Sequence, residues 1–222
     1  MLYGILIISL IITLSAQAFV SMTYSKTRKI KNINNLTGSV VAREILDKNG
    51  LRNVQVVETP GYLSDHYDPR SKVVRLSSEV YHSPSIASVA VAAHECGHAI
   101  QDDTNYIFMN IRAAIVPFVN FASYAGYFAI VIGFFASAMN LVWFGIIMEC
   151  VILLFQIITL PVEFNASRRA LKILESRNIL YGNEVNGAKN VLSAAAMTYV
   201  AAALMSISQL IRLIAISNRN ND

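Results

Sequence analysis

The sequence predicts a mainly α, multi-pass membrane protein with about four transmembrane helices and a small α+β domain outside the bilayer. Three observations lead there. Hydrophobic residues make up 55% of the chain and charged ones only 14%, with a mean hydropathy of +0.47, a balance foreign to an ordinary soluble domain. Long apolar runs recur at residues 2–20, 113–137, 141–160 and 191–216. A polar segment with helix-like and strand-like patterns, 23–112, separates the first run from the rest. The two cysteines, Cys96 and Cys150, make no secreted disulfide framework.

The first run carries no charge and is long enough to span. Ala16-Gln17-Ala18 offers a signal-peptidase-like site, but no Lys or Arg precedes the run, and Lys26, Arg28, Lys29 and Lys31 follow it. That charge order predicts an uncleaved anchor over 1–22 with its start outside. The connection Ala138-Met139-Asn140 is short and uncharged, so the second and third runs, 113–160, read as a helical hairpin. Of 18 Lys and Arg, 11 lie between positions 26 and 112 and five between 168 and 189. Both polar segments therefore belong on the cytoplasmic side. The net charge of +4 is explained by this topology, and a nucleic-acid partner has no other support. The fourth run, 191–216, has alanines suited to close helix packing. Ser206, Ser208, Gln209 and Arg212 make its second half polar, so it reads as either a span or a membrane-associated helix. Residues 217–222 form a tail.

Within 23–112, the stretch 38–49 has its apolar residues at helical spacing and Gly50 as a stop. The β-branched stretches 53–57 and 72–76 predict two strands. Between them, Asp65, His66, Tyr67 and Asp68 read either as ordinary turn residues or as groups near a site, with His66 or Tyr67 facing an oxyanion and Asp65 or Asp68 orienting a ligand. Ser83-Pro84-Ser85 marks the next helix entry, with Ser83 or Ser85 as cap and Pro84 in the first turn.

That helix carries His94, Glu95 and His98 in the order H-E-x-x-H, a pattern that shuffling this composition yields about 0.003 times. Residues four apart share a helix face, so two imidazoles can grip one zinc ion while Glu95 serves as general base for peptide-bond hydrolysis. The apolar and small flanks suit a helix packed inside a domain. Cys96, at a free position of the motif, reads as packing. A catalytic zinc needs a third protein ligand. Thr104 stands where an elongated motif has its third histidine. Asp102 lies eight residues from His94, about 12 Å along the axis, and so reads with Asp103 as outer support or surface charge. Glu163, in Pro161–Leu171 after the third run, is a candidate from another helix. Spacing alone leaves it open between a ligand and a solvated carboxylate paired with arginine. His66, His82 and Asp102 are the alternatives. Glu149, near the middle of the third run, costs on the order of 2.5–3.5 kcal/mol to insert and calls for a partner such as Arg212, Asn120 or Gln209, or for a polar cavity.

The stretches LSDHYDPRSKVVRLS, SIASVAVAAHECGHAIQ and PVEFNASRRAL resemble the YugP-type neutral zinc metallopeptidases, a bacterial family of membrane-embedded proteins. Glu163 within E-F-x-A-S more distantly resembles the ligand glutamate of HtpX-type and CAAX prenyl proteases. The resemblance implies His94, His98 and Glu163 as ligands of one zinc ion, Glu95 as base, and a bacterial plasma membrane. In those relatives the residue four beyond the glutamate is usually an Asp supporting a ligand histidine. Here it is Ser167, which can hydrogen-bond an imidazole but brings no charge.

The expectation is a membrane zinc metalloprotease of gluzincin-like type with a zincin-like α+β domain on the cytoplasmic side over 23–112. A cytoplasmic helix in 161–190 completes the metal site, proteins or peptides are the substrates, and the lipid bilayer is the other partner. Beside the ligands stand Ser167, His66, Tyr67 and Asp102 as possible supporting or oxyanion groups. The rival reading from another class is a non-enzymatic membrane scaffold or regulator with a structural zinc, whose fourth position another protein ligand would fill.

Overall fold

The computed structural model describes residues 2–219. In chain order it contains α1 (Leu2–Thr27), α2 (Gly38–Lys48), β1 (Gln55–Thr59), β2 (His66–Asp68), β3 (Val73–Ser77), α3 (Ser78–His82), α4 (Ile86–Asp103), α5 (Ile107–Phe135), α6 (Met139–Ser176) and α7 (Asn183–Arg219). These fall into two compact units. One, mostly helical, takes the residues up to 17, 110–161 and those from 197 onward. The other, mixed, takes 18–109 and 162–196.

In the helical unit, α1, α5, α6 and α7 are each long and apolar enough to cross a membrane. Their outward surface is apolar, with Ile11, Phe118, Phe128, Ile147 and Leu154 exposed, as lipid-facing residues are. The hairpin of α5 and α6 packs through glycine. A Cβ on Gly145 would stand 2.4 Å from Ile130 Cγ1 and 2.9 Å from the Gly126 carbonyl, so only a missing side chain lets the backbones approach this closely. Val142, Ile146, Leu210 and Leu213 form a small buried core there.

The mixed unit is a three-stranded sheet with helices. Its order is β1-β3-β2, with β1 parallel to β3 (Gln55 opposite Val73) and β2 antiparallel to it (His66 opposite Arg75). The central strand β3 buries both faces, as its run of β-branched and aliphatic residues requires. Thr37 caps α2, its hydroxyl accepting from the Val40 N–H, and Gly50 past the other end takes φ +81°. Val41, Ile45 and Leu46 of α2, Val74 and Leu76 of β3, and Val89, Ala93 and Cys96 of α4 build one core. Ala170 and Leu174 of α6 and Ala188 and Leu192 of α7 join it.

Several expectations need correction. The segment after the third run is no separate helix: α6 is unbroken from Met139 to Ser176 and carries Pro161 inside. Proline removes one backbone hydrogen bond, and packing on the far side holds the helix together, with Val162, Ala166 and Ala170 buried. The 161–190 segment instead ends α6, turns at 177–182 and begins α7, which continues through 217–219, while 220–222 of the tail and Met1 of the anchor lie outside the described residues. The anchor boundary at 22 falls inside α1, and α5 begins at Ile107, before the predicted run. Residues 66–68, read as a turn or site loop, form a third strand. Pro84 precedes the Ser85 cap and is not in the first turn of α4.

Candidate metal centre

Ser85 opens α4, its hydroxyl accepting from the Ser88 N–H at 3.1 Å. From there the alanine-rich helix is buried on nearly every side, so its two histidines cannot sit on a solvated face. His94 and His98 stand one turn apart with ring centroids 4.7 Å apart, and their Nε2 atoms lie 3.2 Å from each other.

Glu163 of α6 meets them. Its Oε2 lies 3.3 Å from His94 Nε2 and 3.6 Å from His98 Nε2, and the residue is only 3% exposed. The approach of the two helices is set at Gly97. A Cβ there would stand 2.8 Å from the Ala166 carbonyl oxygen, closer than real contacts allow, so α6 can lie this near α4 only because position 97 has no side chain.

Hydrogen bonds fix which nitrogens face inward. Gln101, wholly buried, donates through Nε2 to the Val162 carbonyl at 2.8 Å and to Asn165 Oδ1 at 3.0 Å. Its Oε1 must therefore accept, and its partner is His98 Nδ1 at 2.9 Å. The proton of neutral His98 sits on Nδ1, leaving the Nε2 lone pair for the centre. Asn165 Oδ1 also accepts from Arg169 Nε at 2.8 Å, which fixes the asparagine amide. On the other histidine, the Ser167 hydroxyl lies 3.2 Å from His94 Nδ1 and can accept its proton, turning Nε2 inward likewise.

Two imidazole lone pairs and a carboxylate oxygen thus converge on one point. Zinc bound at 2.0–2.1 Å with tetrahedral geometry has ligand atoms about 3.3–3.4 Å apart, and the observed separations of 3.2, 3.3 and 3.6 Å bracket that edge. The donor set of two nitrogens and one oxygen suits zinc. The residues present fit the ion.

Glu95 is buried in the same helix, 8% exposed. Burial disfavours the positive form of His98, yet the Glu163 carboxylate and the Glu95 charge outweigh it and raise the imidazole above its usual range. Asp65 is raised as well, first by burial and further by the Glu95 charge, although the Ser77 N–H and hydroxyl donate to it at 2.7 and 3.0 Å.

The other residues singled out in the sequence lie elsewhere in hydrogen-bonding terms. Asp102 accepts from the Tyr67 hydroxyl at 2.6 Å and from Lys72 Nζ at 2.5 Å. It ties β2 to the end of α4, and the supporting bond to His98 comes from Gln101 instead. Burial first, and then the Asp102 carboxylate, raise the Tyr67 phenol. His66 is exposed, its Nδ1 beside the Ser64 carbonyl at 2.8 Å, and Asp68 closes its own turn on Ser71. His82 pairs with Glu58 on an exposed face, and Asp103 is exposed too. Cys96 is wholly buried and contacts the Ala42 carbonyl. In the helical unit, Glu149 lines a cavity of about 640 Å³ with Arg212 and Gln209, two of the partners considered for it.

Gln101 and Gly97 are the residues that sequence reasoning missed. A glycine inside a helix costs about 1 kcal/mol relative to alanine and so signals a close backbone approach. Gln101 left no such mark, because a glutamine near a helix end ordinarily points to solvent.

Comparison with known proteins agrees with this geometry. Residues 2–218 match the family model described as "Putative neutral zinc metallopeptidase". The chain is 45% identical over 207 residues to the Bacillus subtilis (strain 168) protein named "Putative membrane protease YugP", an alignment covering 93% of this chain and 92% of that one. No solved structure matches. With the match running along nearly its whole length, the chain belongs to the neutral zinc metallopeptidase family.

Proposed function

We propose that the protein is a multi-pass membrane zinc endopeptidase of gluzincin-like type, with its zincin-like domain and active site on the cytoplasmic side. The convergence of His94, His98 and Glu163 within 3.6 Å of one another carries this reading. The excess of Lys and Arg in 26–112 and 168–189 supports the cytoplasmic side. When bound, zinc polarises the scissile carbonyl and acidifies a water molecule.

The chain's own residues do the rest. Glu95, beside the first ligand, takes a proton from the attacking water and hands it to the leaving amine. Gln101 and Ser167 hold the two imidazoles in the tautomer that binds metal. Burial of Glu163 and His98 keeps bulk water from competing for the ligand atoms. β2, an edge strand tied to α4 through Tyr67 and Asp102, offers its backbone to an extended peptide, whose main chain it reads without regard to sequence.

Glu95→Gln tests the reading. Metal analysis should find zinc retained, and cleavage of a casein-type substrate should vanish. Cleavage surviving in a clean preparation of that variant refutes the role of Glu95.

A further inference from the structure

An apolar loop tip stands out in the mixed unit. The loop from β1 to β2 ends in a tight tip: Gly61 takes φ +111° and Leu63 φ +52°, and the Ser64 hydroxyl donates back to the Pro60 carbonyl at 3.0 Å. The tip presents Tyr62, 59% exposed, and Leu63, 42% exposed. A polar tip would serve an aqueous loop better.

What Tyr62 touches locates it. Its ring packs edge-on against Tyr24 of α1, centroids 5.8 Å apart at 88°. Tyr24 lies four residues beyond the apolar run that ends at Val20, about 6 Å along the axis. The headgroup layer on each side of the hydrocarbon core is about 5–8 Å deep, so an α1 that spans the bilayer would put Tyr24 in that layer, where tyrosines concentrate. The ring contact would hold Tyr62 at the same depth as Tyr24. Met22 and Phe19, on the same stretch of α1, are exposed as well.

Charge points the same way. Lys26, Lys29 and Lys31 are exposed just past Tyr24. Of the carboxylates near Tyr24, Glu79 is paired with Arg28 at 3.0 Å, while Asp65 accepts from the uncharged Ser77. Lys26, Lys29 and Lys31 leave the net charge at this end of α1 positive, which an anionic surface attracts.

We propose that the Gly61–Leu63 tip, with Lys26, Lys29 and Lys31, forms a contact with anionic lipid: Tyr62 and Leu63 enter the interface and the lysines meet the headgroups. This rests on the reading that α1 crosses the bilayer. β2 begins three residues after Leu63, so no more than about 10 Å of chain separates the edge strand from the headgroup layer.

Bromolipid quenching tests it. The single tryptophan, Trp143, is first replaced by phenylalanine. Tyr62→Trp, Leu63→Trp and Ile11→Trp are then made separately, and each protein is reconstituted into vesicles of phosphatidylcholine and phosphatidylglycerol brominated at shallow or deep acyl positions. The tip tryptophans should emit blue-shifted light, lose emission to shallow bromines more than to deep ones, and resist acrylamide. Ile11→Trp, in the apolar run, should be quenched by deep bromines. Two unquenched, acrylamide-accessible tip tryptophans beside a quenched Ile11→Trp overturn the contact and leave the spanning reading of α1 intact. Loss of quenching at all three positions overturns both.

Discussion

Gln101 carries no charge and occupies no position of the H-E-x-x-H pattern, yet its amide holds His98 Nδ1, the Val162 carbonyl and Asn165 at once. Replacing it by leucine removes the acceptor that keeps the His98 proton on Nδ1 and takes one donor each from the Val162 carbonyl and Asn165 Oδ1 on α6. Support of this kind is worth about 10–100-fold in metal affinity, so Gln101→Leu should weaken zinc binding by that order in a chelator competition. Ser167→Ala should cost less, because a hydroxyl at 3.2 Å is the weaker partner and the vacated space admits water. Equal zinc affinity in Gln101→Leu and the wild type would show that the ring needs no such anchor. The candidate ligand histidines were legible, because i and i+4 on any helix share a face. Their supports were not. A hydrogen bond from Gln101 to another helix depends on where that helix lies, and nothing in the local sequence encodes it.

Between elements, the decisive feature is the crossing of α4 and α6 at Gly97. Gly97→Ala forces a Cβ against the Ala166 carbonyl. The strain should cost about 1–3 kcal/mol and push Glu163 away from the imidazoles. A lower melting temperature together with a lower zinc content is the expected pair of results. A stable variant with full zinc occupancy would place the helix separation under other control. The sequence showed the long apolar helices because hydropathy over twenty residues needs no tertiary information. It showed β1 and β3 through their β-branched residues. β2 stayed hidden, since three residues of His, Tyr and Asp have no strand signature until β3 pairs with them. The unbroken α6 stayed hidden too: Pro161 reads locally as a boundary, and only burial on its far side overrides that.

For the whole molecule, the candidate metal site brings together α4 and α6 through His94 and Glu163, 69 residues apart in the chain. A zinc ion held by this triangle would bind the folded state alone, so its removal should lower stability by about 2.7 kcal/mol where free zinc exceeds Kd by about 100-fold. Thermal unfolding in detergent, with and without a chelator, measures this. Glu163→Ala should abolish most of the difference, and an undiminished chelator effect in that variant would point to a different third ligand. Acid should release the metal as well. Imidazole ligates only when neutral, and His98, despite its burial, is held above the usual imidazole range by the Glu163 and Glu95 carboxylates, so zinc-dependent stability is present above that raised value and lost as pH falls through it.

The separation of the ligands also has a consequence during synthesis. His94 and His98 leave the ribosome well before Glu163, and α5 and the first part of α6 lie between them. A nascent chain that ends before position 163 holds two imidazoles and no carboxylate to close the triangle. The order of translation thus withholds the full candidate ligand set until most of the third apolar helix has been made.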